Sequence, residues 1–405
     1  MPADASAAKP DVTLMRATSH SRQLSDRAGL DGAAVALIVY ATSVAIIMLN
    51  VAPAAEPLLR QVAHLSSCQV GAVFCIELAA MGLASIPAYL WLGKVDASRV
   101  ARSAYAVFIL GNVLSSIQLA SFGLYAATRA VTGFGAGTLM VLGMSMAART
   151  RNPDRMYALI TFGQLASGAV MLWLHSSLAR DGRGLHDLFH ASAWLGVLGF
   201  IAAGPLSRAG DRASPVVRTR LPARSTTWRT TLLAIAFAMV FNLVVGGLWS
   251  FAAEYAGTGV TPARVALVLA WATTAGLAGA ASAFLIGNSW PRRRMLIAGY
   301  FGILLGSGLL QFVRGPAGFA AGCCVLSLAW NFCVPYVFAA VAGQDPTGRL
   351  MSAANFAFAF GLALGPLLAG AVIESMGLDA LFPCALAGIA LGLVLTQCIS
   401  RPASS

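Results

Sequence analysis

Residues 129–140 read RAVTGFGAGTLM. Arg129 is the single charge between Arg102 and Arg149, in a stretch dominated by apolar residues, glycine and small hydroxyl residues. An arginine at the centre of a hydrocarbon slab costs about 3 kcal/mol on insertion scales. A chain keeps it there where packing or function holds it. What surrounds residue 129 therefore decides the fold.

The surroundings are those of a membrane protein. Hydrophobic residues make up 58% of the chain and charged residues 10%, whereas soluble domains carry about 25% charged residues. A hydrocarbon core of about 30 Å takes roughly 20 apolar residues per helix. Twelve such stretches lie near 33–53, 69–91, 103–122, 124–148, 156–176, 189–207, 231–252, 263–286, 295–313, 316–341, 351–373 and 381–399, here numbered spans 1 to 12. The loops between them are short. Residues 1–30 are polar and hold no apolar h-region, so a disordered cytoplasmic tail is expected and no cleavable signal peptide.

The net charge of +12 raises the question of nucleic acid, and its distribution answers it. An even number of spans puts both termini on one side. Of the 27 Lys and Arg, Arg60, Arg180, Arg183, Arg264 and Arg314 fall on the opposite side and Arg129 within a span. The rest share the side of the termini, among them Lys94, Arg149, Arg151, Arg155 and the run Arg292, Arg293 and Arg294. This positive-inside bias implies a multi-pass protein of the cytoplasmic (inner) membrane with both termini cytoplasmic. The partner of the basic loops is then the lipid bilayer, and no nucleic acid is expected. Six of the eight tryptophans (Trp91, Trp173, Trp194, Trp228, Trp249 and Trp290) fall at or near span ends, as an aromatic belt requires, while Trp271 and Trp330 lie mid-span. The seven cysteines, Cys68, Cys75, Cys323, Cys324, Cys333, Cys384 and Cys398, lack CxxC spacing. They point to no disulfide framework, metal site or cofactor.

The chain divides in two. Six spans precede the basic, Pro-containing stretch SRAGDRASPVVRTRLPARSTTWR (207–229), and six follow it. The expected organisation is a tail over 1–30, a six-helix bundle over 31–207, a cytoplasmic linker over 208–229, a second six-helix bundle over 230–400 and a short tail over 401–405. Local echoes support a repeat. GKVDASRVAR (93–102) follows span 2 and GNSWPRRRM (287–295) follows span 8; GQLASG (163–168) lies in span 5 and GLALGPLLAG (361–370) in span 11.

From about residue 31 to 400 the chain resembles a major facilitator superfamily transporter. The span-4 signature of that family's proton-coupled exporters is an Arg followed by spaced glycines. Arg129, Gly133, Gly135, Ala136 and Gly137 match it, with Thr132 where Gln is common. The signature between spans 2 and 3 is a Gly, an Asp four residues on, then basic residues. Gly93, Asp96, Arg99 and Arg102 resemble it with one residue fewer. The antiporter signature of span 5 lacks its Pro here, while span 11 carries Gly361, Gly365, Pro366 and Gly370. The resemblance implies an all-α polytopic fold, with twelve transmembrane helices in two six-helix bundles related by a pseudo-two-fold axis. It implies that spans 1, 4, 7 and 10 line a cavity and that 3, 6, 9 and 12 face lipid. It also implies that Asp96, Arg99 and Arg102 clamp the cytoplasmic gate against span 11.

Two ionisable residues sit deep in spans. Counting at about 1.5 Å per residue, Arg129 lies about 7–10 Å and Glu77 about 12–15 Å below the outer boundary. Those depths permit a pair. A carboxylate that burial makes costly and an arginine makes favourable can exchange a proton when the cavity switches sides, so Glu77 and Arg129 are the proton-coupling candidates. A static ion pair is the other reading. Tyr40, Asn50, Gln164, Asn242, Trp271, Trp330, Asn331 and Tyr336 supply the aromatic and amide groups expected to contact a small organic solute. Gly133, Gly135 and Gly137, and likewise Gly361, Gly365, Pro366 and Gly370, are expected where helices approach closely. Glu56, Glu254 and Glu374 sit at span ends, within reach of the headgroups, and no role is expected of them.

Neither a nucleophile–base pair within a span nor an HExxH or Walker sequence is present, so no enzyme is expected. The expectation is a secondary active transporter of a small organic solute, monomeric and proton-coupled, with antiport and export favoured over symport. An uncoupled facilitator with Arg129 and Glu77 structural is the alternative.

Overall fold

Backbone polar groups in hydrocarbon must be satisfied within their own segment, which leaves helices as the economical solution for an apolar chain of this kind. The computed structural model describes residues 32–92, 94–119, 121–147, 153–178, 184–207, 228–257, 260–287, 289–342 and 349–400. Among these every regular element is helical. The tail 1–30, nearly all of the linker, residues 401–405 and Gly93 lie outside them. Twelve helices are long and apolar enough to cross a membrane: Gly32–Val62, Ser67–Ala88, Ala97–Ile117, Phe122–Ala147, Met156–Ser177, Gly184–Ala202, Leu232–Ser250, Pro262–Ile286, Arg292–Phe312, Pro316–Val341, Phe356–Met376 and Leu378–Cys398.

Span 1 departs from the expected boundaries. It continues to Val62 although Pro53 and Pro57 lie within it. Each proline withholds a donor from the carbonyl one turn back, yet the helix goes on and carries Glu56 and Arg60 with it. Its one interruption falls earlier, at Ile46 (φ −106°, ψ 11°). Span 2 starts on a capping box in which Ser66 accepts from Gln69 N and Gln69 returns a bond to Ser66 N, satisfying two otherwise free donors.

Helix pairing shows the two-fold relation. In the first half spans 2 and 4, 3 and 4, 1 and 5, 3 and 6, and 1 and 4 pack together. In the second half their counterparts 8 and 10, 9 and 10, 7 and 11, 9 and 12, and 7 and 10 do the same. The principal contacts between halves join span 2 to span 11 and span 5 to span 8. Adding six to each number, with 11 returning to 5, exchanges these two contacts. A pseudo-two-fold axis therefore runs through the interface between two six-helix bundles.

Missing side chains bring the helices close. A Cβ on Gly133 or Gly137 would overlap the backbone of Glu77 or Met81 in span 2, and one on Gly135 would come within 2.9 Å of Ala104 O in span 3. Gly361 and Gly365 meet span 7 in the same way, at Met239 and Leu243. Between the halves, Gly71 abuts the Pro366 carbonyl and Gly370 the Ser67 carbonyl. Both small-residue runs thus lie at helix–helix contacts, as their spacing predicts. Gly137→Ala is expected to cost about 1–3 kcal/mol by overpacking, read as a lowered Tm in detergent. Gly82→Ala, where a Cβ meets nothing within 4 Å, is the control and should leave Tm unchanged or raise it.

Candidate functional site

Span 4 places Arg129 at 1% exposure, facing spans 2, 3 and 6. Its Nε donates to Glu77 Oε2 at 3.1 Å and its Nη2 to Glu77 Oε1. Nη1 donates to Asn112 Oδ1 at 3.2 Å and to Ser115 Oγ at 3.3 Å. The guanidinium carbon stands 5.3 Å from the centre of the Phe189 ring, within cation–π reach. The planar fork and a carboxylate make a bidentate pair, the arrangement that fixes geometry as well as charge. Asn112 and Ser115 are themselves anchored, Asn112 Nδ2 on Phe108 O and Ser115 Oγ on Gly111 O.

Asn112, Ser115 and Phe189 were not among the expected site residues. They lie on spans 3 and 6, which the family arrangement assigns to lipid. Each of those spans has one face turned inward, and Asn112 and Ser115, three apart on one face, were the available signal.

Glu77 faces two ways. Behind it is Arg129, and in front is a small central cavity of about 20 Å³, room for one water. Its lining includes Ala45, Ile46, Met81, Ala136 and Ser250, so spans 1, 2, 4 and 7 meet there. The Ser250 hydroxyl is buried without a partner.

The expected solute contacts do not converge. Tyr40 Oη donates to Leu195 O, Asn50 Nδ2 to Gln164 O, and Gln164 Nε2 reaches Thr42 O at 3.4 Å, all within the first bundle. Asn242 donates to its own helix at Ala238 O, as Asn331 does at Ser327 O. Tyr336 Oη contacts Ala283 O at 3.4 Å. Trp330 packs against Trp249 with centroids 6.3 Å apart, and Trp271 is 64% exposed. Tyr40 does border a larger space. With Val35, Val39, Ser43, Leu159 and Gly163 it lines an open groove of about 450 Å³ between spans 1 and 5, within the usual range of small-molecule sites. The groove lies toward the end of the molecule that holds Gly32 at the start of span 1 and Leu159 in the first turns of span 5.

The opposite end is clamped. Glu374 on span 11 accepts from Ser66 Oγ at 2.6 Å and from Cys68 N at 3.0 Å, at the start of span 2. Arg60 on span 1 is ion-paired to Glu254, in the turn Ala252–Ala256 after span 7. Nearby, burial pushes the Tyr255 hydroxyl up to about 12, so it stays a donor, toward Leu378 O. Among the described residues Asp96 makes no such clamp. It accepts from Arg99 N at 2.9 Å and caps span 3, because a short side chain just before a helix finds its free amides first. Arg99 and Arg102 are exposed.

Three findings place this geometry among known proteins. The model of the Major Facilitator Superfamily matches residues 33–366. Two crystal structures share the fold, the nucleoside transporter NupG and an aspartate-to-alanine mutant of it. The first aligns with a TM-score of 0.71 at 12% identity, covering 91% of this chain and 98% of that one. The mutant aligns with a TM-score of 0.70 at 12% identity, covering 91% and 99%. No curated protein sequence matches the chain.

Arg129→Met strands the Glu77 carboxylate and is expected to destabilise the protein by about 3–5 kcal/mol. Adding Glu77→Met removes the stranded charge and should recover part of that loss. Thermal unfolding of the two variants beside wild type checks both expectations.

Proposed function

The chain belongs to the major facilitator superfamily, whose members are secondary transporters, and on that premise we propose that it carries a small organic solute across the cytoplasmic membrane by alternating access, coupled to protons. One observation carries the reading: the two-fold interface is clamped at one end by Glu374 and Arg60, while toward the other end the first bundle opens a groove between spans 1 and 5. Rocking the bundles about the contacts of spans 2 with 11 and 5 with 8 would exchange which end is closed. With the termini cytoplasmic, as the charge bias implies, the grooved end faces the cytoplasm.

Glu77 is the coupling candidate at the cavity wall, with Arg129 as its partner. A solute or water entering in front of Glu77 changes the solvation of a carboxylate whose two oxygens are bonded to the arginine behind it. The span-4 signature led by Arg129 favours antiport and export. A groove with Tyr40, Ser43 and Ser167 beside apolar residues suits a neutral, zwitterionic or weakly anionic molecule. A second reading, the uncoupled facilitator, has its own support: Arg129 occupies both Glu77 oxygens, as a purely structural pair would.

The test is transport in liposomes loaded with a pH-sensitive dye and offered pools of small organic solutes. Coupling predicts that a solute moves protons and that Glu77→Gln abolishes this while solute binding survives. Solute flux at full rate without proton movement in wild type would establish the facilitator instead.

A further inference from the structure

Glu56 is expected at the headgroups, yet its side chain is 0% exposed. Neither of its oxygens has a hydrogen-bond partner. Arg60, one turn on, has Nη1 3.7 Å from Glu56 Oε1, which is ion-pair range but too long for a hydrogen bond. That same Nη1 is bonded directly to Glu254 Oε1. Glu56 and Arg60 belong to the first bundle and Glu254 to the second. Two carboxylates therefore compete for one cation across the interface.

The charges do not balance if both acids are ionised. Glu254, 23% exposed, takes the arginine and leaves a neutral pair. An ionised Glu56 would then be a buried charge with no hydrogen bond, a state that burial penalises heavily. The neutral acid removes the penalty. Among the described residues no other group supplies the missing charge. Spans 2, 5, 6, 7 and 8 and the turn after span 7 pack on this helix. Glu77 on span 2 is held by Arg129, and Asp187 on span 6 acts on His175 of span 5. Tyr255 in the turn keeps its proton and adds no charge, His186 and His190 lie on span 6, and Arg264 sits at the exposed start of span 8. The charge acting on Glu56 is that of Arg60.

We propose that Glu56 is a second proton site, distinct from Glu77, and that Arg60 switches between Glu254 and Glu56 as the clamped face opens. Separating the bundles carries Glu254 into water with its charge. Arg60 is left without a partner and turns back onto Glu56. The Glu56 O–H bond breaks and the proton leaves to the water on the opened face; no other bond changes. Closing reverses each step and takes a proton up. The sign follows: acid on that face favours the closed state, and alkali favours opening. The other clamp needs no proton, since Glu374 already accepts two hydrogen bonds. This inference rests on the alternating-access reading above and adds a proton-dependent gate to it.

The test needs protons alone as the probe. Native cysteines are replaced, and nitroxides are attached through Gln61→Cys and Met376→Cys, exposed positions on either side of the interface. Distances are measured by electron–electron double resonance in lipid nanodiscs from mildly acidic to mildly alkaline pH. The long-distance population should grow with pH in the otherwise unaltered protein. Glu56→Gln, always neutral, should lose that dependence and stay closed. Glu254→Gln, at a partly exposed position and so the safer variant to fold, should stay open at every pH. Wild-type pH dependence in either folded variant overturns the proposal. Failure of the transport reading looks different: no solute would move, while the distances still titrate. Solute-driven proton movement with pH-insensitive distances would sink the gate and leave the transporter standing.

Discussion

An arginine inside hydrocarbon has to be matched donor by donor, and Arg129 is. Its guanidinium draws Glu77 from span 2, Asn112 and Ser115 from span 3 and the Phe189 ring from span 6. Four helices are thereby fixed in rotation as well as position. The glycines that follow on span 4 complete the arrangement, because the guanidinium can reach its partners only when the backbones approach closely. Charge and small residues in RAVTGFGAGTLM thus serve one purpose, which is to set the wall of the central cavity.

Among its described residues the second bundle has no comparable buried ion pair. Span 10 offers Trp330, Asn331 and Tyr336, which pack on spans 7 and 8. The bundles are alike in helix pairing and unlike in chemistry. That asymmetry puts the membrane-embedded ionisable network described here, Glu77 with Arg129, in the first bundle. The interface between bundles is instead backbone against backbone at Gly71 and Gly370, with polar clamps among the described residues at one end. Small, unbranched contacts of this kind can part without leaving a core unfilled, whereas the Arg129 network cannot part without stranding a charge.

Much of this was legible in the sequence. Hydropathy gives twelve spans, and depth and sign permit a Glu77–Arg129 pair, which the structure then shows as a bidentate one. What was not legible is which way each helix turns. Membrane helices are apolar nearly all round, so the periodicity that identifies the buried face of a soluble helix is weak. Asn50 is expected to point at a solute and instead ties span 1 to span 5, while Tyr40 ties span 1 to span 6 by its hydroxyl and lines the groove as well. Trp271, expected at a cavity, lies on an exposed face. Glu56 was misplaced for a different reason. The apolar stretch is bounded at residue 53, yet span 1 runs past Pro53 and Pro57 and takes the carboxylate inside.

The account's central claim is that the first bundle moves as a unit pinned by Arg129 while the contact of span 2 with span 11 opens and closes. Hydrogen–deuterium exchange of the protein in lipid nanodiscs tests it most directly, since opening exposes amides in proportion to how often it occurs. The account predicts faster exchange at residues 66–71 and 366–374 than at residues 111–133, around the arginine. Equal protection of all three segments, or earlier exchange around Arg129, would contradict it.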